Sequence, residues 1–164
     1  MANDLWRTPP EVMTYLEKQE HFIPTIDACA DENNKKCDVF FSEENCFLKA
    51  DPKSVTGQKI WCNPPYSKPL PFVKQCFEFS QNGNEVFMLL NMDSSTKWFL
   101  EIESHSNALI MPLVGGRIAF VNGDGEQKAD NNKPQVFIKF ESRPENGNVA
   151  GYESIYHADI IAYK

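Results

Sequence analysis

Apolar positions recur along the chain at two spacings. Val12, Met13 and Leu16 fall at helical spacing within residues 8–20. Leu70, Phe72, Val73, Cys76, Phe77 and Ser80 do the same within residues 70–81. This is the period of a helix that lays one face on a core. A third helix is expected over residues 94–103, with Trp98, Phe99 and Ile102 inward. Between the helices lie short apolar runs. Residues 85–90 form a nearly continuous run, as a parallel strand buried on both faces requires. Residues 22–26, 38–41, 59–62 and 108–111 give further short strands, while 117–121 and 135–140 alternate like sheet strands. Residues 155–163 complete the set as a last strand. Strands and helices alternate, with no internal repeat and no linker. The pattern predicts an α/β fold in three layers, a single domain over residues 1–164.

Turn chemistry sharpens these boundaries. Thr8 and Glu11 have the T-x-x-E spacing of a capping box, with Pro9 at the favoured first helical position. Gly83 is placed to cap the helix over 70–81. Residues 31–36 are polar and loop-like, and residues 147–151 form another loop. Residues 122–133, rich in Gly, Asn, Asp and Lys, form a long polar loop of the kind that often carries function.

Composition narrows the class. At 164 residues, 41% hydrophobic and 12% aromatic, the chain can bury a real core. No apolar run approaches the roughly 20 residues of a membrane span. The first seven residues lack a signal-peptide core, so a cytoplasmic location is expected, the host cytoplasm if a phage encodes the chain. The five cysteines, at positions 29, 37, 46, 62 and 76, contain no CxxC pair and read as reduced thiols rather than a disulfide framework or a zinc site. His21, His105 and His157 are scattered, so no metal is expected. The formal net charge of −7 runs against an extended nucleic-acid surface, which is usually basic.

Two stretches carry candidate chemistry. After the run Ile60-Trp61-Cys62 the chain stops at Asn63-Pro64-Pro65-Tyr66. Two prolines fix two φ angles and donate no N–H. Asn63, Pro64 and Pro65 therefore cluster acceptors at the end of a strand, beside the flat face of Tyr66. That suits a planar group carrying an NH2. The same residues also make a rigid strand-to-helix turn with an exposed tyrosine, and four residues alone do not separate the two. Earlier, Asp27-Ala28-Cys29-Ala30 follows an apolar strand. An acidic residue followed by small side chains suits a nucleotide-like ligand in the crevice beyond a strand's carboxyl end. With no G-x-G there, no phosphate-cradling loop is indicated. Thr8 begins a helix whose first N–H groups can face a ligand carboxylate.

Taken in order, Trp6-x-Thr8-Pro9-Pro10, Asp27-x-Cys29-Ala30 and Asn63-Pro64-Pro65-Tyr66 resemble the phage-type DNA N6-adenine methyltransferases. These are a Dam-like branch of the S-adenosylmethionine-dependent aminomethyltransferases. The likeness continues through residues 37–51, Asp93-Ser94-Ser95-Thr96-Lys97-Trp98-Phe99 and Gly116-Arg117-Ile118-Ala119-Phe120, and stops short of the last twenty residues. The resemblance implies a Rossmann-like methyltransferase fold, mostly parallel, with helices on both faces and an antiparallel C-terminal pair. It implies no separate target-recognition domain. It implies S-adenosylmethionine as cofactor, facing Thr8, Pro9, Asp27, Ala28 and Cys29, and an adenine of DNA facing Asn63, Pro64, Pro65 and Tyr66. A further cofactor contact falls to Glu43, Glu44, Asn45 or Asp51.

The implied chemistry agrees with the residue types. An adenine amino nitrogen shares its lone pair with the ring. Acceptors at Asn63 and the Pro64 carbonyl can hold both N–H bonds out of the ring plane and turn the lone pair toward a methyl on a sulfonium. Alignment of this kind can supply roughly 7–11 kcal/mol of a barrier. A duplex base must be flipped to reach such a site. Lys59, Lys68, Lys97, Arg117, Lys128 and Lys133 lie near the expected site edge or in the long polar loop, and Lys68 and Arg117 are the candidates for DNA contact. The same pocket also fits an RNA amino group or a protein glutamine amide, and a relative that binds cofactor or a partner without transferring methyl is a further alternative.

Overall fold

The computed structural model describes residues 7–128 and 133–164. Trp6 and residues 129–132 of the long polar loop lie outside the described residues. The sheet is built from β1 (Ile26–Asp27), β2 (Lys59–Cys62), β3 (Glu85–Asn91), β4 (Ala108–Val114), β5 (Gln135–Phe140), β6 (Gly151–Tyr152) and β7 (Ile155–Tyr156). Its order is β1-β2-β3-β5-β4-β6, with β7 also paired to β4. β1, β2 and β3 run parallel, Ile26 opposite Ile60 and Ile60 opposite Val86. The C-terminal antiparallel pair is β4 with β5, and β5 runs antiparallel to β3 as well. β6 and β7 pair with β4 in parallel. Since β3 and β4 both oppose β5, the carboxyl ends of β1 to β4 share one edge of the sheet.

Both faces of the sheet are covered, which explains the apolar runs. Along β3, Val86, Met88 and Leu90 enter one core with Phe72, Val73, Cys76 and Phe79 of α2 (Pro69–Gln81) and with Trp98, Phe99 and Ile102 of α3 (Lys97–Glu103). Phe87 and Leu89 enter the other with Val12, Tyr15 and Leu16 of α1 (Pro10–Glu20) and Ile160 of α4 (His157–Ile161). Fully burying each large apolar side chain contributes on the order of 2 kcal/mol. Two cores of this size sharing one sheet hold its carboxyl edge rigid.

Five local expectations are corrected. Thr8 does not cap α1: the helix starts one residue later, with Pro9 as its cap and Pro10 in the first turn. Two prolines there remove two of the orphan N–H groups that a capping box would satisfy. The hydroxyl of Thr8 and the carboxylate of Glu11 are then available for longer-range bonds. Residues 117–121 do not join the sheet. β4 already has β5 on one side and β6 and β7 on the other, so Ile118 and Phe120 bury themselves in the second core instead. The backbone there is held by Gln135 Oε1, accepting from Ile118 N at 3.0 Å, and by a bridge between Arg7 and Val121. Residues 155–163 pair only at Ile155 and Tyr156, opposite Leu113 and Val114. β4 turns away at Gly115, φ 87°, so the chain has no further partner and winds into α4. Residues 38–41 contribute one bridge, Phe40 with Asp27. The helix expected over 94–103 begins at Lys97, where Thr96 accepts from Phe99 N.

Candidate active site

At the carboxyl ends of β1 and β2 lies a cavity of about 700 Å³, within the range of ligand sites of roughly 300–1,000 Å³. Its floor is the turn after β1, Ala28 to Ala30, and the turn after β2, Asn63 to Tyr66. Phe40, Phe47 and Phe72 give it aromatic walls, and Asp31, Glu32, Glu43 and Glu44 give it an acidic lining. A second, small cavity of about 50 Å³ adjoins it, lined by Arg7, Thr8, Asp27, Cys29, Asn34, Lys36, Trp61 and Asn63. Cys29, Asn34 and Asn63 belong to both linings.

Asn63 is positioned from a distance in sequence. Its Nδ2 donates to Thr8 Oγ1 at 3.0 Å, so the start of α1 orients the amide after β2. Asn63 Oδ1 is buried and accepts no hydrogen bond among the described residues. A buried amide oxygen left unmatched costs about 1–3 kcal/mol, and the residue that carries it lines both cavities. The hydroxyl of Tyr66 is likewise buried without a partner, and its burial pushes the phenol far above its ordinary range. The Tyr66 ring is half-buried and packs edge-on against Phe120, centroids 6.4 Å apart. It lines the cavity beside Pro64 and Pro65.

Asp27 is 2% exposed. Its Oδ1 accepts from Cys29 N at 3.2 Å and its Oδ2 from Lys36 N at 3.0 Å. Burial pushes the carboxyl up to about 6, against the pull of those two N–H groups and of the Lys36 charge. The side chain thus ties the 28–36 loop across the mouth of β1. Lys36 continues the bracket, donating from Nζ to the carbonyl of Thr8 at 3.0 Å. Cys29 and Cys62 lie with sulfurs 3.9 Å apart, and all five cysteines are free thiols.

Most of the sequence candidates converge here. Ala28, Cys29, Asn63, Pro64, Pro65 and Tyr66 line the large cavity, and Thr8, Asp27, Cys29 and Asn63 line the small one. Pro9 is buried beside Thr8 at the amino end of α1. Of the acidic candidates in 43–51, Glu43 and Glu44 line the large cavity. Asp51 does not: it is exposed and accepts from Lys53 N at 2.9 Å within its own turn. Lys68 and Arg117 are exposed and line neither cavity. Sequence reasoning missed Lys36, Asn34 and Phe40. Only Phe40 carries a signal, an aromatic in the short strand expected over 38–41. Among the described residues, no helix is long and apolar enough to cross a membrane, and no group of three or more His, Cys, Asp and Glu is arranged to hold a metal.

A family model described as DNA N-6-adenine-methyltransferase (Dam) matches residues 1–155. Two curated relatives carry the name DNA N-6-adenine-methyltransferase. One, from Haemophilus phage HP1 (strain HP1c1), is 38% identical over 156 residues, covering 93% of this chain and 88% of the relative. The other, from Escherichia phage T1, is 37% identical over 152 residues, covering 84% of this chain and 62% of the relative.

Proposed function

The chain belongs to the DNA N-6-adenine-methyltransferase (Dam) family, and from that premise we propose that it transfers a methyl group from S-adenosylmethionine to the N6 amine of adenine in DNA. The observation that carries the site assignment is the buried Asn63 Oδ1, without a donor, at the wall of a cavity large enough for a ligand.

The residues present fit this donor. An acidic and aromatic cavity suits a molecule with a cationic centre and a purine. When bound, S-adenosylmethionine supplies a methyl group on a cationic sulfur, an electrophile at carbon. The chain's own residues do the rest. Asn63 Oδ1 and the Pro64 carbonyl accept the two N–H bonds of the adenine amine, drawing them out of conjugation and aiming the nitrogen lone pair into the cavity. As positive charge develops on that nitrogen, the same two dipoles stabilise it without reorganising. The bond from Asn63 Nδ2 to Thr8 keeps the amide from rotating. No general base of pKa near 7 is needed, because the amine proton becomes acidic as charge develops and, once the methyl is transferred, is released to solvent. The Tyr66 ring gives the base a stacking surface worth about 1–3 kcal/mol, which offsets part of the few kcal/mol needed to extrude it from a duplex. Ala28, Cys29, Glu43 and Glu44 contact the donor. Lys68 and Arg117, exposed on the surface, contact the phosphate backbone and so position the DNA.

Incubating the protein with labelled S-adenosylmethionine and unmethylated DNA, then digesting and identifying the nucleosides by mass, tests the reading. Labelled N6-methyladenine is the expected product. Label on cytosine, on protein or nowhere overturns it.

A further inference from the structure

The small cavity differs in character from the large one it opens beside. Its lining carries two cationic side chains, Arg7 and Lys36, and one acidic one, Asp27. Both Asp27 oxygens already accept backbone N–H groups, and its carboxyl is pushed toward neutrality by burial. Lys36 uses one N–H on the Thr8 carbonyl, leaving two donors on the ammonium. The cavity therefore holds at least one positive charge more than it neutralises. At about 50 Å³ it has room for one or two water-sized groups of roughly 30 Å³ each. A ring or a nucleoside does not fit; a carboxylate does. Thr8 and Asn34 add polar lining.

We propose that Lys36, with Arg7 beside it, is the receptor for the α-carboxylate of the methyl donor, the body of which lies in the large cavity. The assignment rests on the donor reading given above. The shared lining of Cys29, Asn34 and Asn63 sets the two cavities side by side, an acidic, aromatic chamber next to a cationic one. Each end repels what the other holds. A cationic sulfonium is disfavoured beside Lys36, and a carboxylate is disfavoured among Asp31, Glu32, Glu43 and Glu44. Lys36 thereby fixes which way round the donor lies, and so where its methyl group stands relative to Asn63. It is a positioning residue and touches no reacting atom.

Calorimetric titration with S-adenosylhomocysteine and with its decarboxylated analogue separates this role from that of a structural bracket. Wild-type protein is expected to bind the decarboxylated analogue about tenfold or more weakly, the range for a lost hydrogen bond to a charged group. In Lys36→Met the affinity for S-adenosylhomocysteine falls to near that of the analogue, while the analogue's own affinity changes less than about twofold, as expected when only the charged contact is removed. Lys36→Arg keeps most of the discrimination. Equal affinity of wild-type protein for both ligands overturns the proposal without any variant. So does an equal loss for both ligands in Lys36→Met, which would make Lys36 a bracket only. Wild-type protein that binds neither ligand overturns the donor reading, and the carboxylate assignment with it.

Discussion

The two edges of the sheet each hold asparagine at a strand end, and they use it differently. At the amino edge, Asn84 precedes β3 and is 0% exposed. Its Nδ2 donates to the carbonyls of Val55 and Phe79 at 3.0 and 2.9 Å, and its Oδ1 accepts from Gln58 N at 3.0 Å. Beside it Gly83, at φ 86°, has Thr56 Oγ1 only 2.3 Å from where a Cβ would stand. Asn107, before β4, donates to Ser80 Oγ and the Glu141 carbonyl, both at 2.9 Å. At the carboxyl edge, Asn63 makes one bond through its nitrogen and leaves its oxygen unmatched at a cavity. Asn107 also has an unmatched Oδ1, yet it lines neither cavity. An orphan acceptor therefore points to ligand chemistry only where there is space for a ligand to answer it. The amino edge joins loops to the core; the carboxyl edge keeps its hydrogen-bonding capacity for something else.

The largest effect on stability should come from the amino edge. Asn84→Ala removes one buried and two part-buried bonds and strands the Gln58 N–H and the Val55 carbonyl, at about 1–3 kcal/mol each, while the Phe79 carbonyl keeps Asn82 N. A loss of roughly 4 kcal/mol is expected in urea unfolding, with per-molecule activity intact in whatever remains folded. A loss under about 1 kcal/mol, the ordinary surface range, would break the contrast between the edges.

Asp27 sharpens it next. Its folded carboxyl lies near 6, above the unfolded 3.8, so the folded state binds the proton more tightly. The contribution is fully present below about 3.8 and is lost as pH rises through 6. Integrated over that window it amounts to roughly 3 kcal/mol at most. Asp27→Asn carries a fixed penalty, because one amide group cannot accept from both Cys29 N and Lys36 N, but it has no such slope. Unfolding curves from pH 4 to 7 should therefore show the variant gaining on wild-type protein as pH rises. Parallel curves would place the carboxyl at its ordinary value.

How much of this was legible beforehand follows from where the information sits. α2 and β3 were plain in the sequence because their signals are local, a helical period in one and an apolar run in the other. The stiff turn Asn63-Pro64-Pro65-Tyr66 at the end of β2 is legible for the same reason. The place of β5 between β3 and β4 was not, since strand order depends on pairings between distant segments. The alternation at 117–121 was real, but it buries Ile118 and Phe120 beneath α1 rather than in the sheet. The bond from Asn63 to Thr8 spans 55 positions, and no spacing rule reaches that far. Lys36 is hidden in a run that reads as solvated loop, because the bonds that turn it inward, its N–H to Asp27 and its Nζ to the Thr8 carbonyl, are made to distant residues.

The smallest expected effect belongs to Tyr66. Its hydroxyl has no hydrogen-bond partner among the described residues, so Tyr66→Phe loses no bond seen there and keeps the ring. Stability should change by less than about 0.5 kcal/mol, with transfer nearly unaffected. A marked fall in rate would assign the hydroxyl a contact to the base and extend the functional edge by one group.

The contrast between the edges is tested most directly by Asn63→Ala, assayed for single-turnover methylation of DNA and for thermal unfolding on the same sample. Removal of the acceptor that answers developing charge should slow transfer about 100- to 1,000-fold. The melting temperature and the affinity for S-adenosylhomocysteine should stay close to those of wild-type protein. A stable Asn63→Ala protein that transfers methyl at the full rate, or one that merely melts early with per-molecule activity intact, would make Asn63 a turn residue like those of the amino edge.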